Sequence, residues 1–161
     1  MTDTPDSRAK PVSASRVVLS YVMNPADANP LGSVHGGVIL RLMDEAGGVA
    51  AARHSRRPAV TVAMDSMTFR SPVPIGCLVT FKASVNYVGK TSMEVGVRVE
   101  TENLLTGKNR HTASAYLVYV ALDEEGGPAP VPRLIPETEE DRRRMAAAGA
   151  RMAARLRQRK A

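Results

Sequence analysis

The chain has 161 residues, of which 43% are hydrophobic, 24% charged and 4% aromatic, with a formal net charge of +6. That length suits one domain burying roughly two-thirds of its unfolded surface, and without tryptophan its core must be aliphatic. One cysteine, Cys77, excludes an intramolecular disulfide, and three scattered histidines make a poor zinc site. No apolar run approaches the ~18 residues of a membrane span, and the first residues lack a signal-type segment. The composition therefore reads as a soluble, cytoplasmic protein.

Residues 1–13 are polar and contain proline, which predicts a disordered N-terminus ahead of a single domain over 14–136. "SRVVLSYVM" reads as a strand, followed by the loop "NPADANPLGS". A helix apolar nearly all round comes next, closing near "RHSRRPA", where basic residues suit a helix end and Pro58 blocks continuation. Four strand-like runs follow: "AVTVAMDSMTF", "CLVTFKASVNYV", "TSMEVGVRVETENL" and "RHTASAYLVYVALD". The third alternates clearly at period two. This order predicts an α+β fold, one long helix lying against an antiparallel sheet of about five strands. Residues 137–161 carry four acids and eight bases, and predict a basic C-terminal helix, solvated and frayed at its end. No aromatic residue interleaves its charges, so nucleic acid is not the expected partner.

The helix poses a chemical question, because Asp44 and Glu45 sit in the middle of an apolar segment. An ionised carboxylate buried without a partner is costly enough that it shifts its pKa or finds company. At the start of the same helix lies "HGG", residues 35–37. Glycines at a helix N-terminus expose N–H groups at the positive end of the dipole, which suits a phosphate or a developing oxyanion. Gly36 and Asp44 are eight residues apart, ~12 Å along the axis on nearly one face. The pattern suggests an acyl- or phosphoryl-transfer site without choosing between them. Glu45, turned ~100° from Asp44, is expected to pair with Arg41 instead. Asp65 reads as a strand or interface residue.

Taken together, "DANPLGSVHGGVILRLMDEAG", "TVAMDSMTFRSPVPIG", "GKTSMEV", "ENLLTG", "YLVYVALD" and "VPRLIP" resemble the hotdog-fold acyl-CoA thioesterases, over residues 15–136. The resemblance is to the cytosolic, brain-type hydrolases and their short YciA-type bacterial relatives. It implies a central helix wrapped by a curled antiparallel sheet, and side-by-side pairing of two hotdogs that covers the helix. It also implies an assembly of dimers, either a hexamer (trimer of dimers) or a tetramer.

Carried over residue by residue, the resemblance makes Asp44 the catalytic carboxylate, as general base or nucleophile. Asn29 becomes the functional asparagine of the preceding loop, and Gly36 and Gly37 the donors that polarise the thioester carbonyl. A homodimer would combine Asn29 of one subunit with Asp44 of the other. Thiolate leaves readily, so no strong general acid and no cofactor is implied; CoA is itself part of the substrate and product. Candidate CoA contacts are Arg70, Lys90, Thr91 and Ser92, with His35 near the carbonyl or serving only structure, and Arg56 and Arg57 as secondary candidates. Cys77 stands where relatives carry an acid, and reads as a buried, inert thiol. The competing readings are a non-catalytic acyl-CoA-binding protein and a hydratase; the second wants a His–carboxylate pair that this chain does not offer.

Overall fold

The strand-like runs pair into one five-stranded antiparallel sheet in the computed structural model, which describes residues 9–161. In chain order the elements are β1 (Lys10–Pro11), β2 (Val17–Val22), α1 (Gly36–Ser55), β3 (Ala59–Phe69), β4 (Leu78–Val88), β5 (Ser92–Glu102), β6 (Asn109–Ala121), β7 (Leu134–Ile135) and α2 (Glu139–Lys160). The main sheet runs β2-β4-β5-β6-β3, leaving β2 and β3 as its edges.

Period-two burial follows directly from the sequence. Val79, Phe81, Ala83 and Val85 of β4, Met93, Val95, Val97 and Val99 of β5, and Ala113, Ala115 and Leu117 of β6 line one face. Against that face lies α1, whose Ile39, Leu42, Met43, Ala46 and Ala50 recur at helical spacing and are 0–3% exposed. Each large apolar side chain so buried stabilises the fold by ~1.5–3 kcal/mol. The sheet does not wrap α1 completely. Arg41, Glu45, Val49 and Arg53 form an exposed stripe, within which Arg41 and Glu45 make the expected i,i+4 ion pair at 3.7 Å.

Two expectations need correction. Disorder through residue 13 does not hold for the described part of that segment: Lys10 and Pro11 pair in parallel with Leu134 and Ile135, and Val12–Ser15 form a 3-10 turn. Residues 1–8 lie outside the described residues. The basic tail is a helix as expected, but it is not a solvated, frayed one. Thr138 and Asp141 form a capping box, acids fill its first turn and bases its last, as the helix dipole favours. It packs on the outer face of the sheet through Ala148, which is fully buried, and half-buried Met145 and Met152. Two of its arginines, Arg151 and Arg155, point inward. Glu94 of β5, 0% exposed, accepts from Arg151 at 2.7 Å and Arg155 at 2.9 Å, while Arg155 also reaches Asp65 at 3.0 Å. The Arg151 guanidinium lies 3.6 Å over the Tyr116 ring. A cleft of about 380 Å³ remains between α2 and this face, rimmed by Arg16, Lys82, Arg98, Arg143 and Arg144. Each of these cations already faces an acid: Asp141, Glu100 or Glu140.

Candidate active site

Asp44 lies on α1 where the helix passes the junction of β6 and edge strand β3. Thr61 of β3 is paired directly with Tyr119 of β6, so both side chains stand on the helix-facing side of the sheet. The register slips immediately afterwards, between Thr61 and Ala63, a bulge that turns the next residues of β3 over. Both hydroxyls converge on one carboxylate oxygen: Thr61 Oγ1 donates to Asp44 Oδ1 at 2.6 Å, and the Tyr119 hydroxyl donates to the same atom at 2.9 Å. Burial, reinforced by the hydrogen bond and charge of Asp44, pushes the Tyr119 phenol far above its ordinary range. It is therefore a neutral donor at any working pH. Asp44 is thus satisfied by neutral groups and half-buried at an open edge.

The helix N-terminus is built by a loop folded onto itself. His35 is the N-cap, and its Nδ1 accepts the Gly37 N–H at 2.9 Å, so the imidazole proton of the neutral ring sits on Nε2. Asn29 fixes the loop. Its Oδ1 accepts from Leu31 N at 2.9 Å and Ser33 N at 3.2 Å, an Asx-type turn, and its Nδ2 donates to Ser33 Oγ at 3.2 Å. The carbonyl end is spent on the loop; one amide hydrogen remains for a ligand. A cavity of about 400 Å³ opens here, lined by Asn29, Gly36, Ile39, Phe69, Arg70 and Val73 among others.

The single chain therefore brings Asn29, Gly36 and Arg70 to one cavity, and sets Asp44 two turns down α1, outside its lining. The other candidate CoA contacts divide the same way. Lys90 and Thr91 form the β4–β5 turn and Ser92 opens β5, opposite Val120, at the end of the sheet that carries Thr61 and Tyr119. Arg70 follows the far end of β3, tied by its N–H to Thr112 O at 2.8 Å. Arg56 caps α1 with a left-handed backbone, and Cys77 is buried. Among the described residues, no group of three His, Cys, Asp or Glu is placed to hold a metal ion.

Thr61 and Tyr119 are the site residues that sequence reasoning did not single out. Both sit in runs of alternating Val, Thr and Tyr, where nothing but the register marks one hydroxyl from the next. Edge strand β3 also keeps apolar side chains in the open: Val60, Val62, Met64 and Phe69 are 39–50% exposed. A long apolar edge of this kind is a template for pairing.

A family model described as thioesterase superfamily matches residues 31–108. The chain is 42% identical over 130 residues to Protein VdlD of Helicobacter pylori, spanning 81% of this chain and 74% of that one. It is 40% identical over 139 residues to the uncharacterized acyl-CoA thioester hydrolase YkhA of Bacillus subtilis (86% and 80%). Identity to the cytosolic acyl coenzyme A thioester hydrolase of Rattus norvegicus is 38% over 135 residues, spanning 83% of this chain but 35% of that longer protein. A crystal structure of an apo-hexameric acyl-CoA thioesterase matches with a TM-score of 0.90 at 38% identity, covering 94% of this chain and 97% of that one. The acyl-CoA hydrolase of Staphylococcus aureus, solved with butyryl coenzyme A, coenzyme A and coenzyme A disulfide, matches with a TM-score of 0.87 at 31% identity, covering 94% and 92%. Companion structures of that enzyme replace one asparagine, one aspartate and one threonine with alanine.

Proposed function

The chain belongs to the thioesterase superfamily, and from that premise we propose that it hydrolyses acyl-CoA to the free acid and CoA, with Asp44 as the catalytic carboxylate. The observation that carries this reading is the setting of Asp44: an acid held by two neutral donors, with no cation on it among the described residues, at the open edge of the sheet. The residues altered in the S. aureus hydrolase have the types, and the intervals along the chain, of Asn29, Asp44 and Thr61, which supports the same assignment.

In this reading Asp44 takes a proton from water as the water oxygen attacks the thioester carbon. The alternative use of the same group is direct attack to give an anhydride that water then opens. The carbonyl oxygen becomes the oxyanion of a tetrahedral intermediate, held by the Gly36 N–H and the free amide hydrogen of Asn29. Gly37 joins them once the His35 ring turns away from its N–H. Each such donor is worth ~10²–10³ in rate. The intermediate collapses with cleavage of the C–S bond, and the thiolate departs without a strong acid because a thiol's pKa is only ~8.5.

The separation of Asn29 and Gly36 from Asp44 within one chain supports a site shared between two chains. Antiparallel pairing of β3 with its copy sets the start of one strand beside the end of the other. Asp44 and Thr61 of one subunit then face the cavity of Asn29, Gly36 and Arg70 of its partner. Such pairing covers Val60, Val62 and Met64 together with the open stripe of α1. Arg70, Lys90, Thr91 and Ser92 are then the groups for the CoA phosphates. The hexameric state of the apo thioesterase supports further assembly of dimers, and the cytosolic rat relative supports a cytoplasmic location.

The test is steady-state release of CoA from acyl-CoAs of two to sixteen carbons, comparing wild type with Asp44→Ala. Hydrolysis falling a hundredfold or more in a folded variant is the expected result. A wild type inert on every chain length would replace this reading with a non-catalytic acyl-CoA binder.

A further inference from the structure

We propose that Tyr119 is a positioning residue for hydrolysis: its buried hydroxyl holds the Asp44 carboxylate in one orientation, through a gap in α1 that exists because residue 47 is glycine. This rests on the assignment of Asp44 as the reacting carboxylate. Tyr119 is 1% exposed, and its one hydroxyl hydrogen is shared between two acceptors of a single residue, the Asp44 carbonyl oxygen and Asp44 Oδ1, each at 2.9 Å. A buried phenol needing only an acceptor would be satisfied by the carbonyl oxygen alone. Bridging the main chain and the side chain of the same residue does something more, because it fixes the side-chain torsions of Asp44 relative to its own helix. Thr61 adds its hydrogen bond to the same Oδ1. Both donors land on one oxygen, so Oδ2 is the oxygen presented to water.

Gly47 supplies the independent observation. Glycine is an unfavourable residue in a helix interior. Here a Cβ at position 47 would overlap the Tyr119 hydroxyl oxygen and approach ring atoms Cε2 and Cζ to 3.1 Å. Alanine, the best helix former, is excluded by the hydroxyl that reaches Asp44. The sequence "DEAGG" thus carries its own record of the contact, with the acid and the gap that admits its holder one turn apart.

The titratable groups on the elements packed near Asp44 are otherwise engaged. Arg41 pairs with Glu45 on α1, Tyr21 of β2 donates to Glu45 at 3.3 Å, Asp65 of β3 pairs with Arg155, and Glu94 of β5 with Arg151 and Arg155. Loss of the phenol then falls on Asp44 and on Thr61, which shares its Oδ1.

The experiment measures kcat and KM separately for Tyr119→Phe, Gly47→Ala and the double variant, beside Asp44→Ala, with circular dichroism to verify folding. Tyr119→Phe is expected to lower kcat by ~10–100-fold through misplacement of the carboxylate, with KM unchanged within about twofold. Gly47→Ala should reproduce the loss of kcat at unchanged KM by expelling the hydroxyl, and the double variant should add little to either single one. Should Tyr119→Phe not fold, the kinetics of Gly47→Ala carry the decision. A folded Tyr119→Phe or Gly47→Ala with the kcat of wild type, beside an inactive Asp44→Ala, overturns this inference and leaves the Asp44 assignment standing. Full activity in Asp44→Ala overturns both.

Discussion

Asp44 and Glu94 are both acids inside apolar segments of the same helix-on-sheet domain, and they are held in opposite ways. Glu94, on the outer face of β5, is wholly buried and met by Arg151, Arg155 and the Asn86 amide. Asp44, on the inner side, is half-buried and met by two hydroxyls. The first arrangement is closed, since each carboxylate oxygen faces a guanidinium that a second element delivers. The second is unfinished: its donors are neutral, one oxygen carries both, and the strand beside it exposes valines and a methionine. A carboxylate neutralised by arginine binds helix to sheet, whereas one oriented by hydroxyls keeps the lone pairs that chemistry needs.

The comparison breaks most sharply at Asp44. Asp44→Ala should lower kcat by ~10²–10³-fold or more while the melting temperature stays within a few degrees, read by CoA release and thermal unfolding. Glu94→Ala should do the reverse. Removing the acid of this buried ion cluster leaves Arg151 without its carboxylate and Arg155 with Asp65 alone, at about 3 kcal/mol, or on the order of 10 °C in melting temperature for a chain of this size. Hydrolysis per folded molecule should be little changed. Equal loss of activity in the two variants would erase the distinction drawn between them.

What could be read in the sequence follows the same line. Asp44, the glycines at 36 and 37, and the Arg41–Glu45 pair were legible because helical spacing relates them within a few turns. The five strands were legible because Val and Thr alternate. Thr61 and Tyr119 were not, because their convergence on Asp44 depends on a strand register and a bulge set by tertiary packing. The tail was misread for a related reason. Arg151 and Arg155 look like solvated charges until Glu94, 57 and 61 residues earlier, is brought beneath them. The β1–β7 pair was missed because two-residue strands carry no period at all.

The open side is tested next by charge. Val62, 50% exposed on β3, lies where a second copy would pair. Val62→Arg should shift the protein to a smaller species by light scattering and reduce hydrolysis with it, since Asn29 and Asp44 would no longer meet. A monomeric Val62→Arg that hydrolyses acyl-CoA at the wild-type rate would show that one chain holds a complete site.

The smallest effect separates a third buried group from these two. His54, at the end of α1, is 0% exposed, and its Nε2 lies 2.8 Å from the Pro132 carbonyl oxygen, which can only accept, so Nε2 carries a proton. Burial holds His54 below its ordinary pKa, outweighing the opposing pull of that hydrogen bond. The unfolded chain therefore takes up a proton near pH 6.5 that the folded one refuses, and stability from this group declines as pH falls from about 6.5 toward the folded value. Glu100 and Glu137 lie below the carboxylate range, through hydrogen bonds led by Lys82 and Ser13 respectively, and lose their contribution only in a more acidic window. Melting temperature measured between pH 7.5 and 5 should thus slope downward in wild type and less steeply in His54→Gln, the remainder belonging to His111, which burial and Arg98 also hold below its ordinary pKa. Persistence of the full slope in that variant would assign it to other groups.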